Sequence, residues 1–357
     1  LNFLTISRLM TFLIKKGWFE SIKESFMAKR PCIIMAMTVV TFAAILGIIR
    51  MITKQNFIIM ASDLLVEFSW LVGVILISLL LRVGNDQIKS AFRIYSPLML
   101  IGFFVITFRI ILIPNDLVNF IFPPILLLCT LWQWNVIQRH NKKVPRLDMI
   151  YTWISLAVFT VSTFCSWIGF TLLAVQIIIW WMMQLTCILS ITCIKDWLEV
   201  YAERKNLKHK PITNKWFFRF INKVALPVAG VFSFIIAIYW AAAVFNMSDT
   251  TWMIFNKHYI DSENFSASLY SLSLVACLYF LFNYLNITTT DIMRHHFEKS
   301  DPTSAASKIM MFKNVLQVVV WGIWLMIALT IFHVGKSWLL AIFAGLSTGL
   351  GFASKDI

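Results

Sequence analysis

The chain has 357 residues, of which 59% are apolar and 13% charged, and it carries a formal net charge of +14. A soluble chain of this length has too little interior to hide that much apolar surface, so the composition excludes an ordinary globular protein. The positive charge does not point to nucleic acid, because the basic residues sit in short loops between apolar runs, as in multi-pass membrane proteins.

Long uncharged runs recur from Pro31 onward. Each is near the roughly 20 residues that a helix needs to cross a hydrocarbon core of about 30 Å. Lipid offers the backbone no hydrogen-bond partners, so the spans must be helices or a closed barrel. The alternating pattern of barrel strands is missing, so helices remain. The sequence predicts an all-α integral membrane protein with about ten transmembrane helices in antiparallel hairpins. Cys32, Cys129, Cys165, Cys187, Cys193 and Cys277 all lie in or beside apolar runs and form no CxxC pair. They read as small buried residues rather than as a disulfide framework or zinc site.

Residues 1–30 read as an N-terminal segment, with 1–14 the end of an earlier helix followed by a basic stretch. Leu1 stands where an initiator methionine is usual, and Ser354–Ile357 show no helix stop, so the chain reads as a fragment at both ends. The ten expected spans are 31–52, 59–81, 92–112, 116–137, 149–169, 171–194, 224–245, 267–290, 314–334 and 337–357. Pro114-Asn115-Asp116 and Gly335-Lys336 make short turns.

Lys and Arg fix the expected orientation. The alternate loops rich in them include Lys29 and Arg30, Arg82 and Arg93, Arg139 and Arg146, the run Lys195 to Lys223, and Arg294 to Lys313. The opposite loops hold only Arg50, Lys54, Lys257 and Lys336, a ratio of about six to one that assigns the rich side to the cytoplasm. The last helix then runs from outside to inside. In the basic loop 195–223, Trp216, Phe217, Phe218, Phe220 and Ile221 alternate with Lys215, Arg219 and Lys223. That pattern fits either a short helix lying in the membrane interface or an ordinary loop anchoring the next span. The outer loop 246–266 is polar, and its Asn246-Met247-Ser248 and Asn264-Phe265-Ser266 match a glycosylation tripeptide that is common by chance.

No Gly-rich phosphate loop, HExxH or GxSxG is present, so no enzymatic chemistry and no cofactor or metal site is expected. His295-His296 reads as a solvated loop pair and His333 as an interfacial residue. Charges within spans point to function by default. Asp63 and Glu67 share a helix face, and Arg109 lies at a similar expected depth on the next span. Glu67 and Arg109 fit an intramembrane ion pair; the alternative is a proton or substrate site of a secondary transporter.

The final helix, 337–357, is rich in Gly, Ala and Ser. A glycine costs up to about 1 kcal/mol in a helix interior, and close helix packing in the membrane offsets that cost. At 100° per residue, Ala341, Gly345, Thr348 and Phe352 fall on one stripe with Lys355 near it. Ala344, Gly351 and Ser347 lie on one flank, Gly349 and Ala353 on the other, and Phe343, Leu346 and Leu350 form the back. Two small flanks suit a closed ring of identical copies with the stripe toward the axis. They also suit a tightly packed internal helix of a monomeric transporter.

The segment Ala344-Gly-Leu-Ser-Thr-Gly-Leu-Gly-Phe-Ala-Ser-Lys-Asp-Ile357 resembles the pore helix of the MscS-type small-conductance mechanosensitive channels. Its Gly-x-Ala-x-Lys-Asp-Ile ending is similar to the larger members with added N-terminal helices. The resemblance is specific over the last helix and topological over the two spans before it. It implies an MscS-like core at 267–357, with a sensor hairpin 267–334 and a pore helix 337–357. Residues 31–245 then supply about seven additional helices. It further implies a homoheptamer in a bacterial inner membrane that opens under lipid tension and releases ions and small solutes on hypo-osmotic shock. By position, Phe352 is the lower hydrophobic ring and Thr348 the upper. Thr348 departs from the usual larger apolar residue, which points to one main constriction. Lys355 near the inner mouth favours anions, and Asp356 beside it offsets that charge. The family continues into a β-rich cytoplasmic domain that is absent from these 357 residues, so this chain alone is expected to channel poorly.

Overall fold

The computed structural model describes residues 2–15, 23–82, 87–111, 113–140, 144–204, 212–243, 247–262, 265–300 and 305–355. It is helical apart from one short hairpin. Among the described residues, nine helices are long and apolar enough to cross a membrane, which makes this a multi-pass helical membrane protein. They overlap the first nine expected spans. The tenth, 337–357, is also helical over Lys336–Lys355 but is not one of the nine. The chain divides into two compact units.

The first unit holds Leu1–Trp197 and Ala237–Asn246. Its elements are α1 (Asn2–Lys15), α2 (Lys23–Ile52), α3 (Asn56–Arg82), α4 (Ile88–Ile111), α5 (Asn115–His140), α6 (Arg146–Trp167) and most of α7 (Thr171–Arg204). Consecutive helices pack on one another from α1 to α6. Their buried residues recur at helical spacing: Ile75 and Leu79 on α3, Ala91, Tyr95 and Leu98 on α4, Phe122 and Leu126 on α5, Ala174, Ile178, Leu185 and Leu189 on α7. The opposite faces expose Trp70, Leu128 and Phe164, a distribution that water would penalise and lipid does not. A Cβ on Gly102 of α4 would stand 2.6 Å from Sδ of Met182 on α7, so only glycine fits there without a shift.

The α6–α7 turn is set by Gly169 at φ +104°. The amide of Phe170 donates to the carbonyl of Cys165 (2.9 Å), and that of Gly169 to Ser166 (3.2 Å). This 6→1 and 5→2 pair is the Schellman stop, in which the last carbonyls of a helix are satisfied by a left-handed residue.

The second unit holds Leu198–Ile236 and Met247–Ile357. Here α8 (Ile212–Phe220) runs through a π-helical turn (Ile221–Ala225) into the first part of α9 (Leu226–Ala243). The aromatic-basic segment is therefore helical over Trp216–Ile221 and continuous with the next span, while residues 205–211 of the basic loop lie outside the described residues. The polar loop 246–266 is more ordered than its composition suggests. It forms α10 (Ser248–Asn256) and an antiparallel hairpin of β1 (His258–Ser262) and β2 (Phe265–Ser268). Asn246 and Asn264, which begin the two glycosylation tripeptides, lie outside the described residues.

Next come α11 (Leu269–Ser300), α12 (Ala305–Ile331) and α13 (Lys336–Lys355). Ser268 and Ser271 cap α11 reciprocally: the amide of Ser271 donates to Oγ of Ser268 (3.1 Å), and the amide of Ser268 to Oγ of Ser271 (2.9 Å). With 32 residues α11 is about 48 Å long, more than the hydrocarbon thickness. It packs along α12, where Tyr279 meets the rings of Trp321 and Trp324, and Phe297 stacks on Phe312. It also meets α8. Arg219 pairs with Asp291, and Tyr284 donates its hydroxyl to the carbonyl of Trp216 (3.0 Å).

Candidate functional site

In the second unit, the link between α12 and α13 is a tight turn. His333 takes the left-handed conformation at φ 54°, unusual for a residue with a side chain. Its amide donates to Thr330 (3.0 Å), and that of Val334 to Leu329 (3.0 Å), again the Schellman pattern. The β-hairpin braces this turn. The amide of Ser266 donates to the carbonyl of Phe332 (2.8 Å), Phe265 packs on the Phe332 ring at 5.4 Å, and His258 meets His333 edge-on at 6.3 Å. A segment whose sequence reads only as a polar loop thus holds the junction of the last two helices.

Beyond that turn the described side chains of α13 have little cover. The helix packs on α12 and half-buries Leu339 and Ile342. Those two side chains lie roughly 100–160° around the helix from the Ala341–Gly345–Thr348 stripe. Ala341, Gly345 and Thr348 are exposed, as are Ala344, Ser347, Gly349 and Gly351 on the flanks. A Cβ built on Gly345, Gly349 or Gly351 meets no atom of another element within 4 Å. Trp338 and Leu340 are 62% and 69% exposed, and Phe343 of the back is also exposed. The hydroxyl of Thr348 donates to the carbonyl of Ala344 (2.8 Å), so its polar atom is satisfied within the helix. Phe352, Ala353 and Lys355 belong to α13, but their side chains, like those of Leu346 and Leu350, fall outside the described residues, as do Asp356 and Ile357 altogether.

The intramembrane charges of the sequence reading lie in the first unit. Asp63 pairs with Arg50 at 2.7 Å. Glu67 and Arg109 both line one cavity of about 530 Å³. Its walls come from α3, α4, α5, the α6–α7 turn and the start of α7, and they are mostly apolar, with Asn119, Thr171 and Gln176 as further polar residues.

A second polar cluster in the same unit escapes the sequence reading. Asp148, on the first turn of α6, is fully buried. Its Oδ1 accepts from Nη2 of Arg82 (2.8 Å) and from the hydroxyl of Tyr95 (2.6 Å). Arg82, whose side chain is 8% exposed, also donates from Nε to Oγ of Ser78 (2.8 Å), and Nε lies 3.8 Å from Oδ2 of Asp196. The cluster ties α3, α4, α6 and α7 together. In the sequence Arg82 reads as one more loop cation, and Asp148 stands just before the expected span 149–169. The available signal was an acid and a base at the ends of long apolar runs on the same expected side of the membrane. Among the described residues, no group of three or more His, Cys, Asp or Glu is placed to hold a metal ion, and His295 and His296 are exposed on α11.

No family model, curated protein or solved structure matches the chain.

Proposed function

We propose that the chain is the membrane part of a mechanosensitive ion channel of the MscS type, in which α13 lines a pore shared by identical copies. One observation carries the reading: a helix rich in Gly, Ala and Ser leaves Ala341, Gly345 and Thr348 of its stripe, and Ala344, Ser347 and Gly349 of its flanks, exposed among the described residues. Small residues in a membrane helix are useful where another backbone comes close, because dispersion contacts are the main attraction there. Copies of α13 meeting flank to flank would bury Gly349 against Gly351 and turn Ala341, Gly345 and Thr348 toward the axis. The satisfied hydroxyl of Thr348 suits an apolar pore wall, and Phe352 one turn further supplies the hydrophobic constriction that dewets the closed pore.

In this reading the rich set of basic loops faces the cytoplasm of a bacterial inner membrane. The braced α12–α13 turn lies outside, and α13 runs inward. The α11–α12 hairpin is the tension sensor. Tilting it pulls the top of α13 outward through the turn that Ser266, Phe265 and His258 brace. Ions and small solutes then leave the cell on hypo-osmotic shock. The helices before α11 widen the area on which lipid tension acts. The ring is expected to be a heptamer, held most firmly when a cytoplasmic domain follows.

Cross-linking tests the ring. In a background free of the six native cysteines, Gly349→Cys with Gly351→Cys, expressed with any natural continuation of the chain and oxidised in membranes, should give a ladder of bands ending at seven subunits. A chain that stays monomeric under oxidation, with both thiols still reactive toward a maleimide, contradicts the ring.

A further inference from the structure

We infer that α10 and the β-hairpin form a rim embedded in lipid, with Met253, Ile254, Tyr259 and Ile260 entering the boundary between headgroups and acyl chains on the side of the membrane where α11 begins. This goes beyond the channel reading and does not depend on it, because it rests only on the membrane-length helices of the second unit. Segment 246–266 reads in the sequence as a polar loop, yet these four apolar or aromatic residues are 47–65% exposed. They are also close together. Met253 and Ile254 are consecutive on α10, Tyr259 and Ile260 are consecutive on β1, and the Tyr259 hydroxyl donates to the carbonyl of Ile254 (3.2 Å). An apolar patch of this kind is a contact surface for a partner or a membrane rather than for water.

Position decides between the two. α10 buries Thr251 and Phe255 and packs on α11, where Trp252 meets the ring of Tyr270 at 5.9 Å. Tyr270 is the second residue of a helix long and apolar enough to cross a membrane. β2 runs straight into that helix at Leu269, and the amide of Ser266 holds the carbonyl of Phe332, one residue past the end of α12. α10 and the hairpin are thereby fixed to the ends of two membrane-length helices, at the level where hydrocarbon gives way to headgroups. Leu269 and Leu272 of the first α11 turn are exposed too, so the lipid-facing surface of the span carries on through Tyr270 and Trp252 to α10. The residue types suit that depth. Trp and Tyr favour the boundary because an apolar ring carries one polar group. Lys257, exposed between α10 and β1, reaches lipid phosphates from there. Asp249 and Asp261 are exposed on the same two elements, and their charges hold the rim at the boundary rather than in the hydrocarbon.

Site-directed fluorescence tests this. In a background free of the six native cysteines, Met253→Cys and Ile260→Cys are labelled separately with an NBD maleimide in the full chain. Each labelled protein is reconstituted into phosphatidylcholine vesicles with iodide available on both sides. Both labels should be quenched about twofold more by 6,7-dibromo lipid than by 11,12-dibromo lipid, as expected for side chains at the shallow boundary. Iodide should quench them far less than it quenches the free dye. The two sites lie on different elements, so if one variant fails to fold the other still gives the test. Labels quenched by iodide as fully as the free dye, with no response to either bromolipid, place the rim in water and overturn the inference. Labels shielded from iodide and from both bromolipids place a protein surface, such as a second copy of the chain, over the patch and overturn it as well.

Discussion

Replacing Asp148 by alanine should be among the most destabilising single changes in the first unit. The carboxylate is fully buried and receives both the Arg82 guanidinium at 2.8 Å and the Tyr95 hydroxyl at 2.6 Å. Its removal leaves a buried cation and a buried hydroxyl facing each other. Stranding one partner of a buried ion pair costs about 3–5 kcal/mol. Asp196 stands 3.8 Å from Nε of Arg82 and keeps part of its exposure, so it can take over some of the pairing. The expected loss for Asp148→Ala is therefore near the low end, about 3 kcal/mol. Tyr95→Phe removes one hydrogen bond to a charged acceptor and should cost about 1.5–3 kcal/mol. The double change Arg82→Met with Asp148→Leu removes both charges and should recover most of the loss, because apolar replacement of a buried pair is often neutral. Equilibrium unfolding in mixed micelles gives all three values and the coupling between the two sites. An Asp148→Ala chain within about 1 kcal/mol of the parent, or a double variant weaker than the single, would refute the reasoning.

Gly169→Ala forces a side chain onto a residue at φ +104° and should cost about 1–2 kcal/mol, read as a lower unfolding midpoint in the same micelles. Ser268→Ala removes the oxygen that caps α11 and should cost about 1 kcal/mol, seen as faster amide exchange confined to the first turn after Leu269. Gly351→Val places a branched side chain on the flank proposed to meet a neighbouring α13, so the opening tension in patch recordings should rise while expression is unchanged.

The long apolar runs were legible because hydropathy over some twenty residues is a strong signal, and α2 to α7 follow it closely. The second unit was legible only as spans. Segment 246–266 looks like loop because its strands are four and five residues long and its residues are polar. What orders it is tertiary, the Ser266 amide on Phe332 and the packing of Phe265, and no local pattern encodes that. The Arg82–Asp148 pair was hidden for a related reason. Charges at span ends are usually solvated, and burial of these two depends on α3, α4, α6 and α7 converging. Glu67 and Arg109 could be singled out because they interrupt apolar runs, and both do line one cavity. The stripe on α13 followed from 100° geometry alone, and Leu339 and Ile342 turn away from it, toward the packed side.

Tension-clamped patch recording tests the central claim most directly. The protein, with any natural continuation of its chain, is reconstituted into liposomes and stepped through suction. The account predicts openings that are rare at rest and rise steeply with tension, and a Phe352→Ser variant that conducts at much lower tension because its constriction is wetted. Folded, oligomeric protein that passes no current at tensions up to membrane rupture, with Phe352→Ser equally silent, would contradict it.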